Sequence, residues 1–300
     1  MNYFEHAKVL TQALPYIQSL SGKIVLIKYG GNAMTSDELR KSVATDIVLL
    51  QCVGIKPVIV HGGGPHISEF INKIGEENRF IDGLRYTDEK TIEIVQMVLG
   101  GKVNKDIVSL IESAGGKALG LCGIDASFIK AKKLESSIDL GFVGEITSID
   151  TTLLTTLLSS GYIPVIGSVA TNEDCTQTYN INADICASKL ASALKAEKLM
   201  LLTNVPGLMI NPNDEATLIS SLRLHEIKKI QMDGIIKSGM IPKIDCCVEA
   251  IRMGVKEAHI IDGTLPHSIL LELLSKEGIG TMICCLLYTS DAADDLLCVD

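Results

Sequence analysis

The sequence has no tryptophan, few other aromatic residues and no cluster of basic residues. Aromatic residues account for 4% of the 300 positions, and the formal net charge is −9. A nucleic-acid surface needs a concentrated positive patch, so these properties argue against one. An acidic protein that binds phosphates must instead build a local positive site, for which isolated lysines beside glycine-rich turns are the candidates.

Long apolar runs are also absent, although hydrophobic residues make up 47% of the chain. The longest runs, such as residues 24–27 and 57–60, have the length of a strand and fall far short of a membrane span of ~20 residues. The first twenty residues lack the basic start and apolar block of a secretory signal. We therefore expect a cytoplasmic protein that does not enter a membrane.

The nine cysteines include no pair with the CxxC spacing. A chain of this length can form a hydrophobic core without disulfide bonds. Cys52, Cys186 and Cys246 lie in apolar patterns that favour buried thiols. We therefore predict no disulfide framework and no metal site formed by protein side chains.

Apolar, strand-like runs alternate with helix-period segments from residue 24 to about residue 283. The runs are residues 24–27, 57–60, 117–121, 163–166, 199–202 and 258–261. This alternation predicts an α/β fold with an open, mainly parallel sheet sandwiched by helices. Ligands bind such sheets beyond the carboxyl ends of the strands, where this sequence places glycines and polar residues.

Two boundaries divide the predicted fold. Residues 1–22 precede the first strand and carry a helical apolar stripe, which could pack on its own domain or on another subunit. The polar residues 171–175 lie roughly halfway along the chain. They mark the predicted boundary between two lobes, residues 23–172 and 173–283.

Two glycine-rich turns follow predicted strands. The motif HGGGP covers residues 61–65, and Gly30 and Gly31 follow the first strand. Consecutive glycines expose backbone N–H groups and let an anion approach closely, whereas a tight turn alone needs only one glycine. Neither turn matches GxxxxGKS/T or GxGxxG, so neither indicates a P-loop enzyme or a dinucleotide-binding protein.

Three basic residues stand at positions that suit anion binding. Lys28 ends the first predicted strand, where a lysine is seldom buried without a partner, and a solvated strand end is the alternative. Lys243 lies at a predicted helix start, where lysines are also common for structural reasons. Arg85 follows a turn, and its planar guanidinium suits a substrate carboxylate.

Asn180, Asn182 and Asp184 precede an apolar helical segment. Asn182 could be only an N-cap, and Asp184 could be only a favourable charge in the first turn. Alternatively, the two carboxamides could hold a ligand with amide and carboxylate groups while Asp184 orients lysines. The local pattern leaves both interpretations open.

Five motifs together resemble those of the acetylglutamate kinases of the amino-acid kinase family. They are KYGGNAM at 28–34, HGGGP at 61–65, DGLR at 82–85, YNINAD at 179–184 and GMIPK at 239–243. The resemblance covers about residues 5–283 and implies the amino-acid kinase fold. It also implies transfer of the γ-phosphoryl group of ATP, brought in with Mg²⁺, to the γ-carboxylate of N-acetyl-L-glutamate in arginine biosynthesis.

The resemblance implies a role for each motif. Lys28 and Lys243 would stabilise the transferring phosphoryl group, and Asp184 would orient both lysines. The other residues divide into phosphate-binding Gly30 and Gly31, substrate-binding Gly63, Gly64, Arg85, Asn180 and Asn182, and nucleotide-binding Thr203, Asn204 and Gly207. Asn204 stands where relatives usually carry an aspartate, so this turn lacks that charge.

The requirements of phosphoryl transfer to a carboxylate agree with this set of residues. An acceptor carboxylate with a pKa of about 4.3 is already ionised at neutral pH, so no general base is required. The difficulty is to bring two anions together, and fixed positive charges and backbone dipoles relieve it.

The segment 1–22 resembles the helix found in arginine-sensitive members of the family. There it joins dimers into a ring-like hexamer, a trimer of dimers, and L-arginine binds beside it as an inhibitor. The residues expected to contact arginine are Tyr16, His259, Glu272 and Gly278. The alternative is a helix that only completes the domain surface.

The motifs leave other activities open. The chain could be another enzyme of the family, such as a carbamate, glutamate or aspartate kinase, or a catalytically silent regulator that binds arginine or a nucleotide.

Residues 284–300 lie beyond the family pattern, and from Cys285 they resemble an in-frame translation of a transposase-type sequencing adapter. We expect this tail to be non-native, with a genuine acidic extension as the alternative.

Overall fold

The apolar runs of the sequence become strands, and the segments between them become helices. A computed structural model describes residues 3–34, 36–211, 214–236 and 239–285. Its strands in chain order are β1 (Ile24–Tyr29), β2 (Lys56–His61), β3 (Phe80–Ile81), β4 (Leu84–Arg85), β5 (Ala118–Cys122), β6 (Ile129–Lys133), β7 (Gly144–Ile149), β8 (Ile163–Gly167), β9 (Val169–Thr171), β10 (Thr178–Asn180), β11 (Lys198–Thr203), β12 (Ser221–Arg223), β13 (Glu257–Asp262) and β14 (Thr281–Cys284).

The helices lie between these strands. In chain order they are α1 (Tyr3–Leu20), α2 (Asp37–Cys52), α3 (Gly64–Lys73), α4 (Glu89–Gln96), α5 (Asn104–Ser113), α6 (Thr152–Ser159), α7 (Ala183–Ala193), α8 (Leu224–Met232), α9 (Ile241–Arg252) and α10 (Ser268–Leu273). A π-helix, Met97–Val103, joins α4 to α5.

Eight strands form one sheet in the order β12-β14-β13-β11-β1-β2-β8-β5. Neighbouring strands from β13 to β5 are parallel, whereas β14 is antiparallel to β13 and β12 is parallel to β14. All six predicted strands belong to the parallel part. The predicted open, mainly parallel sheet is therefore confirmed, and its parallel strands end at a common edge.

Strand residues alternate between two hydrophobic cores, one on each face of the sheet. Ile27 belongs to the core that contains Ile47 of α2, and Leu26 belongs to the core that contains Leu190 of α7. All four side chains are almost completely buried. Burial on both faces explains why these strands are continuous apolar runs in the sequence.

Two smaller sheets lack a clear sequence signal. The strands β10, β9, β6 and β7 form a four-stranded sheet, and β3 pairs with β4. These strands are short, and β6 has the sequence IKAKK, whose three lysines mask its alternation. The predicted lobe boundary lies in the turn between β9 and β10, where Thr171 pairs with Thr178. The division into two lobes stays a prediction.

The two ends of the chain differ in how they join the fold. In α1, Leu20 is buried, whereas Val9, Leu10 and Leu14 are 58%, 73% and 49% exposed. Cys284, the first residue of the predicted tail, completes β14, and residues 286–300 lie outside the described residues. Among the helices in the described part of the chain, none combines the length and the apolar character that a membrane span requires.

Candidate active site

Three charged side chains meet where β1 ends and α7 begins. The ammonium of Lys28, the penultimate residue of β1, lies 3.0 Å from Oδ1 of Asp184 in the first turn of α7. Lys243, in the first turn of α9, donates a hydrogen bond of 2.8 Å to Oδ2 of the same carboxylate. The structure thus brings the three predicted catalytic residues together from three separate elements.

Burial and charge together fix the state of Asp184. Only 14% of its side chain is exposed, and the side chains of Lys28 and Lys243 are 12% and 23% exposed. Burial alone would raise the pKa of Asp184, but the two ammonium groups outweigh it and hold the pKa below its usual range. The carboxylate is therefore ionised, and one anion holds two cations in place.

The two glycine-rich turns border the same space. A Cβ added at Gly30 would lie 3.4 Å from the Lys28 ammonium and 3.9 Å from the backbone nitrogen of Gly62. A Cβ added at Gly62 would lie 3.2 Å from Cβ of Ala183, the first residue of α7. Gly31 has a φ of 67°, a conformation that favours glycine. The turns therefore place backbone beside the lysine cluster.

The HGGG turn presents backbone donors that are free for a ligand. No described group accepts a hydrogen bond from the N–H of Gly62, Gly63 or Gly64. Gly63 directly precedes α3, so the positive end of that helix dipole faces the turn. A Cβ at Gly63 would lie 2.6 Å from Cδ2 of Leu99 in the π-helix, so a side chain at this position would require Leu99 to move. These features are those of an anion-binding turn.

Arg85 is buried beside the same turn, with 7% of its surface exposed. Its guanidinium donates to the carbonyl of Gly64 at 3.0 Å, to Oγ of Ser68 at 2.8 Å and to Oδ1 of Asn78. The ring of Phe80 lies 4.6 Å from the guanidinium carbon. Burial lowers the pKa of Arg85, and no described carboxylate forms an ion pair with it. A buried guanidinium without an acidic partner is suited to bind an anionic ligand.

Asn180 is connected to Arg85 through a buried threonine. Nδ2 of Asn180 donates to Oγ1 of Thr87 at 3.2 Å, and this hydroxyl donates to the carbonyl of Arg85 at 2.8 Å. Asn182 instead caps α7, because its Oδ1 accepts the N–H groups two and three residues later at 2.9 and 3.2 Å. Asn182 is therefore the N-cap of α7, and its role in substrate binding stays a prediction.

Thr203, Asn204 and Gly207 form the turn after β11. The Thr203 hydroxyl accepts from the N–H of Val205 at 3.1 Å and donates to its carbonyl at 2.9 Å, which closes the turn. A Cβ at Gly207 would lie 2.5 Å from the hydroxyl oxygen of Thr281 in β14. Asn204 is exposed. The nucleotide contacts of the three predicted residues stay predictions.

Three of the four residues predicted to bind arginine form a buried cluster. Nδ1 of His259 lies 2.6 Å from Oε1 of Glu272, whose Oε2 accepts two backbone N–H groups of the loop before β14 at 2.7 and 3.0 Å. Gly278 has a φ of 64°, and a Cβ there would lie 2.7 Å from Oε2. Tyr16 is half-buried on α1, and within the described residues its side chain makes no hydrogen bond to this cluster.

Asn104, which lies beside His61 beneath the HGGG turn, has no signal in the sequence. Asn104, the first residue of α5, is completely buried, and its Nδ2 lies 3.0 Å from Nε2 of His61. Burial lowers the pKa of His61 to about 4, so the imidazole is neutral near pH 7. A single buried asparagine belongs to no periodic pattern and to none of the five motifs, so only the structure reveals it.

The assembled site concentrates positive charge and backbone donors at one place. Two ammonium groups meet at Asp184, the HGGG turn approaches Lys28 beside Gly30, and Arg85 is bonded to the last glycine of that turn. Asp184 is engaged by both lysines and is not a free base. Such a site can stabilise an anionic group while it passes from one anionic partner to another.

Comparisons with known proteins agree with this chemistry. The amino acid kinase family profile matches residues 23–262. Acetylglutamate kinase of Clostridium beijerinckii is 66% identical over 283 residues, which cover 94% of this chain and 99% of the relative. Acetylglutamate kinase of Clostridium kluyveri is 60% identical over 283 residues, which cover 94% and 100%. The chain belongs to the acetylglutamate kinases of the amino acid kinase family.

A solved structure confirms the predicted amino-acid kinase fold. N-acetylglutamate synthase from Neisseria gonorrhoeae, complexed with coenzyme A and N-acetyl-glutamate, matches this chain with a TM-score of 0.82 at 26% sequence identity. The match covers 94% of this chain but 64% of the synthase, so the chain spans less than two thirds of that protein's length. The likeness therefore concerns part of the synthase and does not extend to the synthase activity.

Proposed function

We propose that this chain transfers the γ-phosphoryl group of ATP to the γ-carboxylate of N-acetyl-L-glutamate and so forms an acyl phosphate in arginine biosynthesis. The observation that carries the proposal is the cluster of Lys28, Asp184 and Lys243, in which one buried carboxylate holds two cations beside two glycine-rich turns. The 66% identical acetylglutamate kinase supports the choice of acceptor.

Arg85 is the residue that we assign to a carboxylate of the acceptor. A guanidinium has five N–H donors. Three of them are used on Gly64, Ser68 and Asn78, which fixes the orientation of the group and leaves two for a ligand. Both Nη2 hydrogens are among the three, so the remaining Nε–H and one Nη1–H point in different directions, and a carboxylate oxygen can accept one of them in a charge-assisted hydrogen bond. Asn180, whose Oδ1 accepts no hydrogen bond from a described group, can accept the N–H of the acetamido group.

In the proposed reaction the ionised carboxylate attacks the γ-phosphorus of ATP. A bond forms between a carboxylate oxygen and phosphorus, the bond from phosphorus to the β,γ-bridging oxygen breaks, and ADP leaves with that electron pair. Negative charge is spread over the transferring group, where the two ammonium groups and the N–H groups of the glycine turns stabilise it. No proton has to be removed from the acceptor.

The nucleotide is assigned to the turn after β11, with Thr203, Asn204 and Gly207. Mg²⁺ enters as part of the MgATP substrate, held mainly by the phosphates. In the part of the chain that the structure describes, no group of three histidine, cysteine or acidic side chains is placed to hold a metal ion. Dependence on ATP supports a cytoplasmic location for the enzyme.

Trapping of the acyl phosphate tests the proposed reaction. Pure protein is incubated with MgATP and N-acetylglutamate, the product is trapped with hydroxylamine, and release of ADP is measured in parallel with carbamate, glutamate and aspartate. We expect a hydroxamate with N-acetylglutamate and much slower turnover of the other acceptors. Preference for another acceptor would assign a different kinase activity, and absence of ATP turnover would favour a silent regulator.

We further propose that L-arginine inhibits the enzyme at the cluster of His259, Glu272 and Gly278. Burial would raise the pKa of Glu272, but the contact with His259 and two backbone N–H groups keep it below its usual range. The carboxylate is therefore ionised, as a guanidinium partner requires. Its Oε1 accepts from His259 alone among the described residues, so one lone pair remains available.

The exposed stripe of α1 supports a homo-oligomer, which we propose to be a hexamer built as a trimer of dimers. Val9, Leu10 and Leu14 leave apolar area in water, at a cost of about 25 cal/mol per Å². Contiguous apolar surface of this kind marks interaction sites more often than free surface. A second copy of the same helix would cover it.

A further inference from the structure

A chain of hydrogen bonds lies in the core beneath the HGGG turn. Nδ2 of Asn104 lies 3.0 Å from Nε2 of His61, 2.9 Å from the carbonyl oxygen of Val165 and 3.2 Å from that of Leu121. Oδ1 of Asn104 accepts from Nζ of Lys105 at 3.1 Å. The orientation of the carboxamide is fixed, because a flipped group would place its oxygen against two carbonyl oxygens.

The orientation of Asn104 determines where His61 carries its proton. Nδ2 of an asparagine can only donate, so Nε2 of the neutral imidazole accepts and Nδ1 carries the hydrogen. Nδ1 lies 3.1 Å from the carbonyl oxygen of Gly62 and therefore donates to it. We call this path from Asn104 through His61 to the Gly62 carbonyl the Asn104–His61 relay.

The Gly62 carbonyl shares a peptide plane with the N–H of Gly63. The described peptide bonds are trans, and in a trans peptide the C=O and N–H point in opposite directions. A hydrogen bond that turns the carbonyl toward the buried imidazole therefore turns the Gly63 N–H away from the core. No described group accepts a hydrogen bond from this N–H, so it is left for a ligand.

The surrounding backbone is shaped to admit the relay. A Cβ at Gly120 of β5 would lie 1.8 Å from Oδ1 of Asn104, so this strand needs glycine where the carboxamide passes. The π-helix ends directly before Asn104, and π-helical turns are frequent at functional sites because they change which residues face the core. An apolar side chain would fill the same space without a requirement for hydrogen bonds.

We propose that Asn104 and His61 are positioning residues for phosphoryl transfer. Neither contacts the reacting groups. The relay holds the Gly62–Gly63 peptide so that the Gly63 N–H is oriented toward the reacting anion before the reaction begins, and preoriented donors of this kind need no reorganisation in the transition state. The inference rests on the proposed function, since it concerns the same site.

The relay can be broken without leaving Asn104 unsatisfied. In His61→Leu the donor to the Gly62 carbonyl is lost, while the two N–H groups of Asn104 keep two backbone carbonyls as acceptors. In His61→Asn the side-chain nitrogen stands close to the position of Nδ1, so a donor is retained. Ser42→Ala serves as a matched control, because the buried Ser42 accepts a part-buried hydrogen bond of 2.6 Å from the backbone N–H of His267, between α2 and the segment before α10.

Steady-state kinetics with MgATP and N-acetylglutamate test the relay. His61→Leu should lower kcat about 10- to 100-fold while both KM values stay within about threefold, because the donor acts mainly in the transition state. His61→Asn should recover most of the lost kcat, and Ser42→Ala should stay near wild type. Thermal unfolding of each variant confirms that the assays are run on folded protein.

Three results would overturn the relay. One is an unchanged kcat in His61→Leu, and another is an equal loss in folded His61→Leu and His61→Asn. The third is independent of any variant: ¹⁵N NMR of histidine-labelled wild-type enzyme should show His61 protonated at Nδ1, and protonation at Nε2 contradicts the proposal. Wild-type acyl phosphate formation is measured first, because its absence rejects the proposed function, whereas the three results above reject only the relay.

Discussion

At the scale of single residues, the site depends on two cations that a single carboxylate holds together. The ammonium groups of Lys28 and Lys243 lie 3.0 and 2.8 Å from the two oxygens of Asp184. Without that anion the two cations would repel each other across a partly buried space. The same arrangement places the Lys28 ammonium beside Gly30 and the HGGG turn, where a transferring anion would be stabilised.

Substitution of either lysine tests whether its ammonium group stabilises the transferring anion. Lys28→Ala and Lys243→Ala should each lower kcat about 10²- to 10³-fold and change the two KM values much less, because the charge is needed most as two anions converge. Lys73→Ala is the matched control, since Lys73 pairs with Glu69 on the exposed face of α3. A variant that keeps its kcat would remove that lysine from the mechanism.

Arg85 should act on binding rather than on the chemical step. Arg85→Lys should raise KM for N-acetylglutamate by about 10-fold or more and affect KM for ATP little, because an ammonium cannot reproduce the fixed, planar donors of a guanidinium. Arg79→Lys is a suitable control, since Arg79 is exposed and stacks on the ring of Tyr86 at 4.6 Å. If KM for the acceptor is the same in wild type and Arg85→Lys, Arg85 has a structural role only.

At the scale of secondary-structure elements, the strands that the sequence predicts are those buried on both faces of the sheet. The six parallel strands are continuous apolar runs because both faces of the sheet are covered, and sequence alone locates them. In the second sheet β9 and β10 have only three residues each, β7 carries exposed polar residues, and β6 with its three lysines shows no such run. Asn104 could not be predicted either, because its burial depends on the π-helix and on Gly120, two features that packing determines.

Glu257, the first residue of β13, forms charged contacts whose contribution to stability depends on pH. Glu257 lies beside Lys198 of β11 and 3.4 Å from Nε2 of His259. The bond to His259 is the main cause that lowers the pKa of Glu257 from 4.5 to about 2, against the opposing effect of burial. Because the folded pKa is depressed, the contact stabilises the fold above about pH 4.5, and the stabilisation is lost as the pH falls from there toward 2.

Replacement of this carboxylate should change stability in a pH-dependent way. Glu257→Gln should lower the free energy of unfolding by about 1–3 kcal/mol at pH 7, and the difference from wild type should shrink as the pH falls below about 4.5. Denaturant unfolding at several pH values measures it. Glu135→Gln, at an exposed position, should show no such trend. A difference that stays constant between pH 7 and pH 3 would contradict the assignment.

At the scale of the whole molecule, the sheet joins both halves of the chain while α1 remains partly outside the core. Strand β1 lies between β2 and β11, so the residues before and after the predicted boundary share one hydrogen-bonded sheet. Among the side chains of α1 that the structure describes, only that of the C-terminal residue Leu20 belongs to the buried core. The sequence predicts this helix and its stripe, but one chain's pattern cannot specify whether another copy covers the stripe.

Removal of the exposed part of α1 tests the proposed assembly. Deleting residues 1–18 removes the stripe and keeps the buried Leu20. We expect active dimers that no longer respond to L-arginine, whereas the full-length enzyme should be a hexamer that arginine inhibits. Sedimentation velocity measures the assembly, and kinetics with and without arginine measure the response.

A point substitution separates assembly from folding in the same experiment. Leu10→Asp places a charge on the exposed stripe and should dissociate the hexamer into dimers, whereas Gln12→Glu changes an exposed polar position of the same helix and should leave it intact. Inhibition requires that arginine binds two quaternary states with different affinity, and a coupling free energy of about 1–3 kcal/mol is sufficient. Loss of inhibition in Leu10→Asp with kcat retained would therefore tie the response to α1. A full-length enzyme that is a dimer in solution, or that ignores millimolar arginine, would show that the helix only completes the surface of its own domain.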